Sequence, residues 1–141
     1  MWEKEREVCN MQVVLENEAL KVTISSFGAE LASIRGKVTD TEYLWNADAK
    51  FWKRTAPVLF PFVGSLKNKE YHYEGKTYSM GQHGFARDME FAVDVQTATE
   101  AWFSLRSNEE TKAKFPLEFI LKIGYELEGK ELKVIWQGEN P

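Results

Sequence analysis

Apolar and polar residues alternate with a period of two along most of this chain, most clearly near residue 120. In the stretch LEFILKIGYEL, the apolar side chains that share one face are Leu117, Phe119, Leu121, Ile123 and Tyr125. A helical period would scatter this set around the helix, whereas a strand keeps it together. The segment ELKVIW repeats the alternation, and the intervening EGK contains a glycine for a tight turn. The pattern therefore predicts a β-hairpin.

Three further pairs of alternating runs are joined by short polar turns. QVVLEN and LKVTIS flank residues 17–18, YHY and KTY flank residues 74–75, and two apolar alternations flank residues 96–100. Helical signal is weak, being limited to a turn that Asp48 would cap and to EETKAK, which Asn108 would cap. The chain thus predicts an all-β antiparallel fold, with residues 11–141 in one domain and residues 1–10 as an extension.

Two segments interrupt the alternation and are candidates for a functional site. RTAPVLFPFVG, residues 54–64, contains two prolines, which cannot donate to a central ladder. GQHGFARD, residues 81–88, concentrates glycine and polar residues between strands. Binding and catalytic side chains often lie on irregular segments of this kind.

The composition narrows the function classes. The 141 residues are 43% hydrophobic and 28% charged, with a formal net charge of -4, so neither disorder nor nucleic-acid binding is indicated. Cys9 is the only cysteine, which excludes an internal disulfide and fits a reducing, cytoplasmic setting. No apolar run is long enough to span a bilayer, so we expect a soluble protein without a membrane partner.

His83 is the clearest candidate for proton chemistry, because it lies in a predicted loop between Gly81 and Gly84. The alternative is a structural histidine bonded to backbone. His72 lies between two tyrosines in a strand-like run, where a solvent-facing role is favoured. Two histidines without a cysteine partner make a poor metal site, so no metal and no cofactor are predicted.

Other side chains suit sugar or phosphate binding. Arg54 and Arg87 present planar guanidinium groups that bind hydroxyl groups, carboxylates or phosphates, although a surface ion pair such as Arg87 with Asp88 is the simpler interpretation. Trp45 and Trp52 could stack on a sugar ring, but in an aromatic-rich β protein the core is the favoured location.

Taken in order, three blocks of sequence resemble the aldose 1-epimerase superfamily. They are FGAELASIRG, the run from EYLWNADAKFW through APVLFPFVG to GQHGFARDMEF, and FSLRSNEETKAKFPLEFILKIGYELEGKELKV. The resemblance is strongest to the LacX-like, hexose-phosphate-mutarotase-related branch. It implies the N-terminal half of a large antiparallel β-supersandwich that interconverts the α and β anomers of hexoses or hexose phosphates.

The resemblance also implies roles for single residues. His83 matches the family's first active-site histidine, which holds the sugar ring, and we take it as the catalytic candidate in this chain. Arg54 and Arg87 match pocket arginines that favour an anionic substituent, so all three residues are substrate-binding candidates. Ser65 departs from the pattern, because relatives often carry arginine there.

The acid histidine, an aspartate and the base glutamate of the family lie in a C-terminal half that has no counterpart in these residues. Anomer exchange needs an acid and a base together, so we expect impaired catalysis here. A half-sandwich would also expose a strand edge, which favours self-association. The alternatives are a non-catalytic carbohydrate-binding β module and, less favoured, a histidine-dependent phosphoryl-transfer enzyme or nuclease.

Overall fold

The computed structural model describes residues 11–141, which form ten strands, one short α-helix and two single-turn 3-10 helices, Lys67–Lys69 and Ala86–Asp88. The predicted extension, residues 1–10, lies outside these residues together with Cys9. The strands are β1 (Gln12–Glu16), β2 (Leu20–Ser25), β3 (Glu30–Gly36), β4 (Thr41–Glu42), β5 (Glu70–Tyr73), β6 (Lys76–Ser79), β7 (Ala92–Gln96), β8 (Glu100–Arg106), β9 (Ile120–Glu128) and β10 (Glu131–Glu139). The helix is α1 (Glu109–Lys112).

All strand pairs are antiparallel, which confirms the predicted fold class. One sheet has the order β1-β2-β3-β4, a second has the order β10-β9-β8-β7, and β5 and β6 form a separate hairpin. The four hairpins predicted from the alternation are β1-β2, β5-β6, β7-β8 and β9-β10, and each is present. Side chains therefore alternate between a core face and a solvent face along these strands.

The core lies between the two four-stranded sheets. The first sheet contributes Val13, Leu15, Val22 and Ile24, and the second contributes Phe103, Leu121, Ile123 and Tyr125. The Tyr125 hydroxyl donates a 2.6 Å hydrogen bond to the Ala29 carbonyl across this core. Burial raises the pKa of Tyr125, and the nearby Glu30 carboxylate raises it further. The tyrosine is thus a neutral donor that ties the sheets together.

The Glu42 carboxylate holds the short strand β4 against β3. It accepts hydrogen bonds from the Ser33 hydroxyl, from Ile34 N at 2.9 Å and from Leu44 N at 3.3 Å. Burial acts to raise the pKa of Glu42, but these hydrogen bonds outweigh burial, and the pKa lies below its ordinary value.

The helix α1 begins where the sequence predicts. Asn108 accepts a hydrogen bond from Thr111 N, and Thr111 Oγ1 accepts one from Asn108 N, which completes a capping box. Asp48 caps a turn as predicted, but the chain beyond it forms no helix. No helix in the described part of the chain has the length and hydropathy needed to cross a bilayer.

Trp45 and Trp52 are not core residues, so that prediction was wrong. They are 41% and 49% exposed, in the loop that leads to Arg54. The Trp45 indole N–H donates a 2.7 Å hydrogen bond to the Trp52 carbonyl, and its ring meets Phe51 edge to face at 6.2 Å. The Trp45 and Phe51 rings therefore pack against each other at the surface, and the Trp45 indole is bonded to the backbone of Trp52.

Candidate functional site

Backbone hydrogen bonds to Gly64 fix the orientation of the His83 ring. His83 N donates to Gly64 O at 2.9 Å, and Gly64 N donates to His83 Nδ1 at 2.8 Å. Since Nδ1 accepts a hydrogen bond, the neutral ring carries its proton on Nε2. Nε2 has no hydrogen-bond partner among residues 11–141, so a donor is available on this ring.

Gly84 is the residue that lets the His83 loop approach the proline-rich segment. Its φ is +75°, and a Cβ atom there would lie 2.1 Å from the Phe60 carbonyl oxygen. That oxygen accepts hydrogen bonds from Phe85 N at 2.9 Å and Ala86 N at 3.1 Å. His83 itself has a φ of +63°, a conformation that is uncommon for a residue other than glycine. Gly81, by contrast, has no atom within 4 Å of the Cβ position.

A cluster of packed phenylalanine rings joins the His83 loop to the proline-rich segment. The Phe60 ring lies 6.4 Å from Phe85, 6.2 Å from Phe115 and 5.0 Å from Phe119, measured between ring centroids. Edge-to-face and tilted contacts of this kind add to the free energy gained by burial. These aromatic contacts therefore hold the loop that carries His83 in place.

Asp88 brings the two candidate arginines together. Its Oδ1 lies 2.7 Å from Arg54 Nη2, and its Oδ2 lies 3.9 Å from Arg87 Nε. Arg87 Nη2 also donates to Gln82 O at 3.1 Å, while its buried Nε has no hydrogen-bond partner in the described part of the chain. The close ion pair is thus Arg54 with Asp88, whereas the sequence suggested Arg87 with Asp88. Two guanidinium groups share one carboxylate, which leaves a net positive charge.

A pocket of about 250 Å³ opens beside this ion-pair group. Its polar lining includes Gln82, Arg87, Asp88, Glu110 and Lys114. His83 and Arg54 do not line it. Asp88 therefore brings Arg54 and Arg87 together. His83 is linked to them only because it lies in the same loop, residues 81–88, as Arg87 and Asp88. A second cavity, of about 570 Å³, lies elsewhere between the turn of β9-β10 and β3 and is mainly apolar.

Glu30 is a supporting residue that the sequence did not indicate. Its Oε2 accepts a 2.9 Å hydrogen bond from Thr55 N and lies 2.7 Å from Thr55 Oγ1. The carboxylate thereby holds the backbone next to Arg54. Glu30 and Thr55 are 25 positions apart, so no local motif could have revealed the contact.

His72 lies on the exposed hairpin β5-β6, with Nδ1 2.9 Å from Thr77 Oγ1. This confirms the solvent-facing interpretation. Within residues 11–141, no group of three or more His, Cys, Asp or Glu side chains is placed to hold a metal ion.

Comparisons with known proteins point to one family. The sequence model of the aldose 1-epimerase family matches residues 11–141. The chromosomal LacX protein of Lactococcus lactis subsp. lactis is 35% identical over 135 residues, which cover 92% of this chain and 45% of LacX.

Solved structures give the same result. A galactose mutarotase related enzyme from Lactobacillus acidophilus aligns with a TM-score of 0.91 and 45% identity, over 92% of this chain and 43% of that protein. A galactose mutarotase-like protein from Lactobacillus casei aligns with a TM-score of 0.89 and 39% identity, over 92% and 44%. The chain thus spans less than half the length of each of these relatives. Since the family match extends over nearly all of its residues, this chain belongs to the aldose 1-epimerase family.

Proposed function

We propose that this chain carries the sugar-holding part of an aldose 1-epimerase site, in carbohydrate metabolism and in the cytoplasm. Its substrate is a hexose or a hexose phosphate. The observation that carries the proposal is the bond from Gly64 N to His83 Nδ1, because it leaves Nε2–H as a fixed donor toward a ring or hydroxyl oxygen. The family membership supports a sugar as the ligand.

The same bond limits what His83 does alone. Anomer exchange removes a proton from the anomeric hydroxyl while the ring oxygen gains one, so that the ring opens, rotates and closes. One available nitrogen either donates or accepts, and cannot serve at both oxygens at once. His83 in this chain therefore binds and polarises the sugar, and acceleration of anomer exchange is small.

Arg54 and Arg87 supply the preference for an anionic sugar. Guanidinium groups bind phosphate through two parallel hydrogen bonds, and Asp88 neutralises only one of the two positive charges. Arg87 also lines the pocket of about 250 Å³, where its guanidinium can meet an anionic group. A hexose phosphate should accordingly bind more tightly than the parent hexose.

The experiment has two arms. Polarimetry follows the rotation of freshly dissolved α-glucose and α-galactose with and without the chain, and saturation-transfer NMR detects binding of the hexose and of its phosphate. We expect binding, stronger for the phosphate, with little acceleration of the rotation change. His83→Ala should abolish the NMR signal of the hexose, whereas His72→Ala, the matched exposed histidine, should leave it unchanged.

The outcomes separate the alternatives. Binding with no acceleration at any protein concentration would favour the non-catalytic carbohydrate-binding module. Acceleration that survives His83→Ala, or an absence of binding by hexose and phosphate alike, would contradict the proposal.

A further inference from the structure

The segment SFGAE, residues 26–30, joins β2 to β3 and includes the first residue of β3. It contacts both stretches of chain that carry the candidate arginines. One contact is with the proline-rich segment, residues 54–64, directly after Arg54, and the other is with the His83 loop, residues 81–88, at Arg87. The 26–30 segment therefore lies where it can determine the spacing of the two guanidinium groups.

The Glu30 carboxylate fixes the backbone that follows Arg54. Its Oε2 accepts hydrogen bonds from Thr55 N at 2.9 Å and Ala56 N at 3.4 Å, and it lies 2.7 Å from Thr55 Oγ1. Thr55 Oγ1 also lies 2.6 Å from Leu31 O, so the threonine is held from two sides. Hydrogen bonds to a charged acceptor are stronger than those between neutral groups. One carboxylate thus sets the position of the backbone from which the Arg54 side chain departs.

Gly28 fixes the backbone of Arg87 by close approach. A Cβ atom at Gly28 would lie 2.7 Å from Arg87 O and 3.2 Å from its carbonyl carbon. Gly28 N donates a 2.7 Å hydrogen bond to Met89 O, and Phe91 N donates a 3.0 Å hydrogen bond to Ser26 O. The His83 loop and the residues after it therefore lie directly against the 26–30 segment, at a distance that only glycine allows.

The 26–30 segment is itself anchored in the core. Ser26 and Ala29 are buried, and the Ala29 carbonyl accepts the hydrogen bond from the Tyr125 hydroxyl of the second sheet. The Ser26 hydroxyl donates to the Glu90 carboxylate. Because the segment is bonded to both sheets, it holds the two arginine-bearing stretches at a constant separation.

We propose that Gly28 and Glu30 are positioning residues, which set the spacing of Arg54 and Arg87 and thereby the affinity for the anionic group of a sugar. Asp88 reaches the two guanidinium groups, at 2.7 Å and 3.9 Å, only while their backbones keep this spacing. A phosphate bound by both guanidinium groups has the same geometric requirement. The effect on affinity rests on the proposed function, whereas the spacing is measurable without a ligand.

Nitrogen-15 NMR of the arginine side chains tests the spacing without a ligand. In the unmodified chain, the bond to Asp88 should slow the rotation of the Arg54 guanidinium about its Nε–Cζ bond. In Gly28→Ala and in Glu30→Ala this rotation should become about tenfold faster, as expected for the loss of one charge-assisted hydrogen bond. Glu30→Ala introduces no clash, so it provides the test if Gly28→Ala does not fold.

Two matched variants control for general destabilisation. Gly75→Ala changes a glycine with nearly the same backbone conformation, a φ of +76° against +75° for Gly28, but with no atom within 4 Å of its Cβ position. Glu42→Ala removes a carboxylate on β4 that likewise accepts hydrogen bonds from two backbone N–H groups. Both controls should retain the slow rotation of Arg54.

Titration with glucose 6-phosphate and with glucose, followed by NMR, tests the consequence for binding. The preference for the phosphate should fall about tenfold in Gly28→Ala and Glu30→Ala, and should stay unchanged in both controls. Glu30→Gln should retain most of the preference, because its amide oxygen accepts the same hydrogen bonds. If Glu30 acted through its negative charge instead, Glu30→Gln and Glu30→Ala would both bind the phosphate more tightly than the unmodified chain.

Slow rotation of Arg54 in both Gly28→Ala and Glu30→Ala would overturn the positioning role. An unchanged preference in these variants, or tighter phosphate binding by Glu30→Gln and Glu30→Ala alike, would overturn it as well. If the two variants release Arg54 but the unmodified chain binds no glucose 6-phosphate, the spacing role is supported and the proposed function fails.

Discussion

Replacing Gly84 with alanine should destabilise the protein and disable the site together. The new Cβ would lie 2.1 Å from the Phe60 carbonyl oxygen and 2.4 Å from its carbon, with backbone on both sides of the contact. Neither partner is the end of a flexible side chain. The His83 loop and the proline-rich segment must therefore separate by an ångström or so, as ordinary van der Waals distances require.

The expected loss of stability in Gly84→Ala has two contributions. A residue other than glycine in the left-handed region costs roughly 1–2 kcal/mol, and Gly84 has a φ of +75°. Separation also weakens the bonds from Phe85 N and Ala86 N to Phe60 O, each worth about 0.5–1.5 kcal/mol. The free energy of unfolding should fall by about 2–5 kcal/mol, which for a chain of this size lowers Tm by about 8–20 °C.

Urea denaturation and thermal melting measure this loss, and Gly81→Ala is the matched control in the same loop. The Cβ position of Gly81 meets no atom within 4 Å, so its free energy of unfolding should change by less than about 1 kcal/mol. Saturation transfer from a bound hexose should also disappear in Gly84→Ala and persist in Gly81→Ala. If both variants melt within a few degrees of the unmodified chain, the close approach of Gly84 to Phe60 is not what holds the loop.

Three further predictions concern residues that stabilise the fold away from His83. Tyr125→Phe leaves the buried Ala29 carbonyl without its donor, and should lower the free energy of unfolding by about 1–3 kcal/mol in urea; an unchanged midpoint would contradict this role. The lowered pKa of Glu42 means that its contribution to stability is present above its unfolded pKa and is lost as pH falls through the folded pKa. Glu42→Gln should therefore be less stable than the unmodified chain near pH 7, with the difference shrinking toward pH 3, and a difference that is constant with pH would refute the linkage. Asn108→Ala removes one half of the α1 capping box and should cost about 1 kcal/mol, measured as a shift of the urea midpoint; a variant as stable as the unmodified chain would show that the cap contributes nothing.

The period-two alternation sufficed to predict the hairpins, because each depends on side chains and turns that are close in sequence. The sequence likewise predicted Asn108 as the N-cap of α1, because its partner Thr111 is only three residues away. Side-chain alternation also placed Phe119, Leu121, Ile123 and Tyr125 on one buried face, although Leu117 at the start of that run is exposed. Local physics determines these features, so a local pattern reveals them.

The geometry of the site was not predictable in the same way. The bond between Gly64 and His83 joins segments 19 positions apart, and the ion pair between Arg54 and Asp88 joins segments 34 positions apart. Sequence identified the residue types and left their partners undetermined. Trp45 was misplaced for a related reason, because an aromatic side chain shows its hydrophobicity in the sequence but not whether another element covers it.

Nitrogen-15 NMR of the His83 ring reports directly whether a fixed Nε2–H donor holds the sugar. Without ligand, the neutral ring should be protonated at Nε2 and not at Nδ1, as the bond from Gly64 N requires. Addition of a hexose or its phosphate should shift the Nε2 resonance and leave both nitrogens of His72 unchanged. A ring protonated at Nδ1, or an Nε2 resonance that stays in place while saturation transfer reports bound sugar, would show that His83 does not hold the sugar through Nε2–H.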